Sequence, residues 1–182
     1  MSEDTMNISS LQAEKHHFSS DDKIRWWGYG EWVEEVDEVK FNYKGMECLV
    51  RRMAEHENCS HDDRRFGGYL CGYVAVPFGH PYYQKRYEDM DIECHGGLTF
   101  GECADSHWIG FDCSHSMDYS PSLEYLKKTA TWMKDFRDRE EELKKKFNLQ
   151  HNPIFNKSYK NIEYCINECK SIADQLIEAA KK

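Results

Sequence analysis

The hydrophobic period changes once along this chain, and that change limits the folds open to it. Up to Cys113, apolar residues alternate with polar ones or come in short runs broken by Gly, Pro and Asp, which is the two-residue period of strands. Val39, Phe41 and Tyr43 alternate with Lys40 and Asn42, and Met46 to Val50 resumes after Lys44-Gly45, the pattern of a β-hairpin around a short turn. Tyr69 to Val76 is rich in aromatic and β-branched residues and stops at Pro77-Phe78-Gly79-His80-Pro81. Asp91 to Thr99 and Trp108 to Cys113 are the next short strand candidates.

Beyond Pro121 the spacing becomes three and four: Leu123, Leu126, Ala130, Met133 and Phe136, then Leu143 and Phe147, with the charged run Lys134 to Lys146 as a solvated helix face. Asn152-Pro153 interrupts it. A second helix fits Tyr159 to Ala180, where Ile162, Cys165, Ile166, Cys169, Ile172, Ala173, Leu176 and Ile177 make one stripe, so both cysteines are expected in the core. The expected fold is α+β, an antiparallel β-sheet with two main C-terminal helices, in one domain over residues 23–182. Met1 to Asp22 has no sustained period and reads as a flexible arm or one weak helix; Ala54 to Arg65 reads as an exposed loop.

With 182 residues the chain is long enough to bury a core without disulfides or metal staples. It has no apolar run of the roughly 20 residues that span a bilayer, and no basic segment followed by an apolar one at its start. A cytoplasmic protein with reduced, mostly buried thiols is therefore expected, despite eight cysteines. The formal charge of −9 repels long nucleic acids, whose binding depends on neutralising many phosphates. A small anion with one or two phosphates needs only a local group of donors and stays open.

Chemistry concentrates between Gly72 and Asp118. Gly79-His80-Pro81, Glu93 to Thr99 and Gly110 to His115 each put a strand end against a turn, where glycines let a ligand approach backbone amides. His80, His95, Asp112, His115 and Asp118 are ligand types for zinc, manganese or iron, but no H-E-x-x-H or C-x-x-C spacing is present. Cys94 and His95, adjacent on a strand, would face opposite ways, whereas Cys113 and His115 could share a face. Tyr69, Tyr73, Phe78, Tyr82, Tyr83, Tyr87, Phe100, Trp108 and Phe111 surround the segment; with Arg51, Arg52, Arg64, Arg65, Lys85 and Arg86 in flanking loops, some of them could stack bases beside phosphate-binding groups.

Three blocks in order, Gly72 to Pro81, His95-Gly96-Gly97-Leu98-Thr99-Phe100, and Trp108 to His115 with Asp118, resemble a group of small phage-encoded proteins associated with the anti-CBASS sponges. The resemblance covers about the middle quarter of the chain. It implies a homo-oligomer in the bacterial host cytoplasm that sequesters a cyclic dinucleotide such as cyclic GMP–AMP without cleaving it. It fixes no ligand contact. The chemistry of the residues gives the candidate ligand-binding set as His80, His95, Gly96, Gly97, Thr99, Trp108, Asp112, His115, Arg65 and Arg86, with no catalytic residue and no cofactor. The alternative is a metal-dependent phosphoester hydrolase using His80, His95, Asp112 and His115, and a third reading is a protein-interaction module.

Overall fold

The computed structural model describes residues 11–56, 65–103, 107–149, 152 and 157–181. Six strands, β1 (Leu11–Lys15), β2 (Glu38–Tyr43), β3 (Met46–His56), β4 (Arg65–Val76), β5 (Phe100–Cys103) and β6 (His107–Asp112), form one antiparallel sheet in the order β1-β2-β3-β4-β6-β5. The helices are α1 (Ser20–Trp27), α2 (Pro121–Thr129), α3 (Lys134–Lys146) and α4 (Ile162–Ala179). The α+β fold expected from the period change is the fold observed. No helix among the described residues is long and apolar enough to cross a membrane.

Strand alternation sorts the sheet into two faces. Val39 and Phe41 of β2, Cys48 and Val50 of β3, Leu70 and Val74 of β4, and Ile109 and Phe111 of β6 point one way and are buried beneath α4. The α4 stripe supplies Cys165, Cys169, Ile172, Ala173 and Leu176, all buried. Burying a large aliphatic side chain of this kind contributes about 1.5–3 kcal/mol, so this contact dominates the sheet's stability. Asn161 starts α4 by accepting a hydrogen bond from the Tyr164 amide at 3.0 Å. The six cysteines described to the side chain, Cys48, Cys71, Cys94, Cys113, Cys165 and Cys169, are free, and all but Cys94 are buried.

The structure corrects the sequence reading in four places. Residues 11–22 do not form a flexible arm: β1 pairs with β2 at the sheet edge, and α1 begins at Ser20, capped by Ser19. Met1 to Ser10 lie outside the described residues. The loop expected over 54–65 is partly strand, since β3 runs to His56 and β4 starts at Arg65, with 57–64 not described. Asp91 to Thr99 is not a strand, because Gly97 turns back on Cys94 through a 3.0 Å backbone bond and pairing begins only at Phe100. The helix expected through Phe136 breaks at Ala130, whose ψ of 127° is extended; Arg137 accepts the role of a cap by donating to the Ala130 carbonyl at 3.1 Å. After that break α3 buries none of its residues.

A buried ionic network holds β1, β2 and α1 together. Lys23 Nζ lies 2.9 Å and Arg52 Nε 2.8 Å from Asp37 Oδ1, while Asp37 Oδ2 accepts the amides of His17 at 2.8 Å and Phe18 at 3.0 Å. Arg52 also donates to Glu35 at 2.9 Å, to the Gly68 carbonyl at 2.9 Å and to Tyr159 at 2.6 Å. Burial raises the carboxyl of Asp37, but hydrogen bonds from Lys23, the Phe18 amide and Arg52 outweigh it and hold the group below its ordinary 3.8. Arg52 is thus a structural residue and not the phosphate-binding arginine its sequence neighbourhood suggests.

Candidate functional site

The candidate residues separate into three places. At the first, His95 is committed at its amide and at both ring nitrogens. Its Nε2 lies 2.8 Å from Asp118 Oδ2, its Nδ1 3.0 Å from the Tyr164 hydroxyl, and its amide donates to Glu168 Oε2 at 2.8 Å. Because Asp118 is a buried acceptor, the satisfying tautomer carries the proton on Nε2 and accepts the tyrosine hydroxyl's hydrogen bond at Nδ1. Burial raises the Tyr164 phenol to about 12, so it stays a donor at neutral pH. This chain ties the 94–97 turn to α4 and to the turn after β6. A histidine with both nitrogens bonded has none left for a metal or a ligand.

His115 and Gly96 close the same corner. The His115 amide donates to Asp118 Oδ2 at 3.0 Å, its ring lies 5.5 Å from that of His95, and its Nε2 stands 3.9 Å from Asp112 Oδ1. Gly96 has φ +65°, and any side-chain carbon there would collide with His115 Nε2. Only glycine fits this position, for packing reasons. Gly97 also has positive φ, and Thr99 is exposed, its amide donating to the Gly110 carbonyl at 2.9 Å.

His80 belongs to a second place. Its Nδ1 accepts the Tyr82 amide at 3.0 Å and its Nε2 donates to the Leu176 carbonyl at 2.8 Å, a carbonyl near the end of α4 that also accepts the Ala180 amide. His95 meets the same helix at Tyr164 and Glu168, roughly 18 and 12 Å along its axis from the His80 contact at 1.5 Å per residue. The four residues of the hydrolase alternative therefore do not assemble into one ligand set. Among the described residues no three His, Cys, Asp or Glu side chains are arranged to hold a metal ion. Arg86 is exposed and pairs with Glu88 at 3.3 Å, and the side chain of Arg65 lies outside the described residues.

Trp108 marks the third place, on the sheet face opposite α4. Leu49 and Arg51 of β3, Tyr73 of β4, Trp108 of β6 and Phe100 of β5 line a groove of about 280 Å³. The register puts Gly110 between Tyr73 and Phe100, and the missing side chain lets their rings meet edge to face at 5.2 Å. A Cβ on Gly110 would stand 2.6 Å from the Tyr73 ring. Asp112 shares this face through the alternation of β6, with Cys71 opposite it. The arrangement offers flat apolar surfaces, one guanidinium and no nucleophile: burial raises the Cys71 thiol to about 12.

No protein-family model, curated protein or solved structure matches this chain.

Of the candidate set, the fold brings together His95, Gly96, Asp112 and His115 at one corner and leaves Trp108 on a different surface from His80. The candidate set contains neither Leu49, expected only as a hairpin-strand residue, nor Tyr164, and Arg51 lies on β3 instead of in a flanking loop. The signal for Arg51 was present in the alternation Glu47, Leu49, Arg51 against Cys48, Val50, Arg52, which places the first three on the face away from the core.

Proposed function

We propose that the chain is a non-catalytic binder of a small nucleotide, taken up on the open face of the sheet in the groove of Tyr73, Phe100 and Trp108. The supporting observation is that groove: three aromatic rings gathered over a glycine, with Arg51 at its margin, on a strand face that the core does not need. Bases stack on such rings with about 1–3 kcal/mol each, and the stack tolerates any base because every base has a π face. The resemblance to the phage sponges makes a cyclic dinucleotide the occupant to try first, held intact and thereby withheld from a host effector.

Calorimetry of the full chain against a panel of cyclic dinucleotides tests this reading, together with chromatography of the ligand recovered after denaturation. Expected results are saturable binding, intact recovered ligand, and at least tenfold weaker binding by Trp108→Ala with an unchanged circular dichroism spectrum. Absence of binding across the panel, or steady formation of a product, overturns it.

A further inference from the structure

Beside the aromatic groove, on the same face, one carboxylate carries an excess of cations. Glu38 is only 2% exposed, and its oxygens lie 3.5 Å from Lys15 Nζ, 3.4 Å from His17 Nε2, 3.9 Å from Lys40 Nζ and 2.8 Å from Arg51 Nη2. Burial raises Glu38, but the hydrogen bond and charge of Arg51, followed by His17 and Lys15, outweigh it and hold it below its ordinary 4.5. It is therefore ionised and contributes one negative charge. Lys15, Lys40 and Arg51 contribute three positive ones, so the cluster keeps a surplus of about two before His17 is counted. This inverts the sign of a chain whose formal charge is −9.

The groups around Glu38 are not used up by it. Their side chains remain 52% (Lys15), 41% (His17), 47% (Lys40) and 49% (Arg51) exposed, with the acid buried beneath them as a common anchor. Lysines on an edge strand usually serve to prevent pairing with another chain, and β1 is an edge. That explains Lys15 but not the convergence of cations from β2 and β3 on the same carboxylate. Register places Lys40 opposite Leu49 and Glu38 opposite Arg51, so the collar adjoins the groove and shares Arg51 with it. From β2 to β6 is three strand spacings, about 14 Å. On this face Glu47 precedes Leu49, and Asp112 lies beyond Cys71, so acids flank the strip without entering the collar.

We propose that the Lys15, His17, Lys40 and Arg51 collar over Glu38 is an anion subsite for phosphate groups, continuous with the aromatic groove. This rests on the base-stacking reading of that groove, and it adds the end of the ligand that the groove does not recognise. Half-exposed cations held in place by a buried counter-charge have lost much of the freedom that binding would otherwise have to remove, and they meet phosphate oxygens through charge-assisted hydrogen bonds.

Inorganic pyrophosphate probes the collar, and a mixture of adenosine and guanosine probes the groove, each followed by calorimetry and nuclear magnetic resonance on the full chain. Pyrophosphate should bind the wild type with an affinity that falls as salt rises, and the Lys15→Gln/Lys40→Gln variant should bind it at least tenfold more weakly. The same variant should bind the uncharged nucleosides as the wild type does. Lys134→Gln/Lys181→Gln, which removes two exposed cations elsewhere, should leave pyrophosphate binding unchanged. If pyrophosphate does not bind, or binds both double variants and the wild type equally, the collar proposal is overturned while the stacking reading stands on the nucleosides. Pyrophosphate binding that depends on Lys15 and Lys40, with no nucleoside binding, supports the collar and removes the groove.

Discussion

The two faces of the sheet are built from the same strands and differ in almost every other respect. On β6, Ile109 and Phe111 are buried under α4, while Trp108, just before them in the strand, lies half-buried in the groove; on β3 the pair is Val50 against Arg51, and on β4 Val74 against Tyr73. The α4 side is filled with aliphatic, sulfur and aromatic groups that need only shape to be satisfied. The other side gathers cations, which water solvates without any help from the fold, and rings, which it does not. A face of the first kind is explained by stability. One of the second kind needs a further reason to bring Tyr73, Phe100 and Trp108 together, and the proposed nucleotide would supply it.

The contrast is sharpest in energy, and the largest effect should come from the ionic network at the α1 edge of the covered side. Arg52→Met is expected to lower stability by about 3–5 kcal/mol in urea unfolding, because it leaves Glu35 and Tyr159 without their guanidinium and Asp37 with Lys23 and two backbone amides. The same variant should lose part of its acid sensitivity. The folded carboxyl of Asp37 is depressed, so its contribution is fully present above the ordinary value of 3.8 and is lost as pH falls through the lower folded value. Wild-type stability should therefore drop below that pH more steeply than that of Arg52→Met. Equal slopes would mean that Lys23 and the backbone amides hold the depressed value without Arg52.

Ile109→Ala comes next, at about 2–5 kcal/mol, since Ile109 is wholly buried and the surrounding α4 contacts cannot close the cavity completely. Thermal or urea unfolding measures it. A cost under about 1 kcal/mol would show that the α4 interface repacks freely and that the covered face is less specified than its burial indicates.

How much of this was legible in the sequence depends on the range of the interaction. Period carried the hairpin at Lys44-Gly45, the strand through Val74, and the α4 stripe with Cys165 and Cys169 inside, because those patterns report on a face of a single element. It failed for Asp91 to Thr99, where apolar residues follow a turn path instead of a strand, and at Ala130, where the spacing of three and four continues although the backbone extends. The site was less legible. His80 and His95 look equivalent as strand-end histidines, and only the path of α4 separates their contacts by about two to three turns. Asp37 and Arg52 gave no sign that they pair in the interior, since the residues that desolvate them come from α1 and from Tyr159, far along the chain.

The smallest expected effect is the one that sets the two faces apart. Trp108→Ala removes the largest side chain of the groove, adjacent in sequence to Ile109, yet its stability cost should be about 1 kcal/mol or less, against the several expected of Ile109→Ala. Trp108 lies on the face away from α4, so truncating it opens space that water enters, and no cavity of lost contacts remains in the core. Urea unfolding of both variants under one buffer gives the comparison, and the fluorescence change on adding a cyclic dinucleotide gives the second readout. The expected pattern is reciprocal: Trp108→Ala keeps its stability and loses binding, whereas Ile109→Ala loses stability and, wherever it remains folded, binds as the wild type does. If Trp108→Ala costs as much as Ile109→Ala, the aromatic cluster is a second core and the open face has no need of a ligand to explain it.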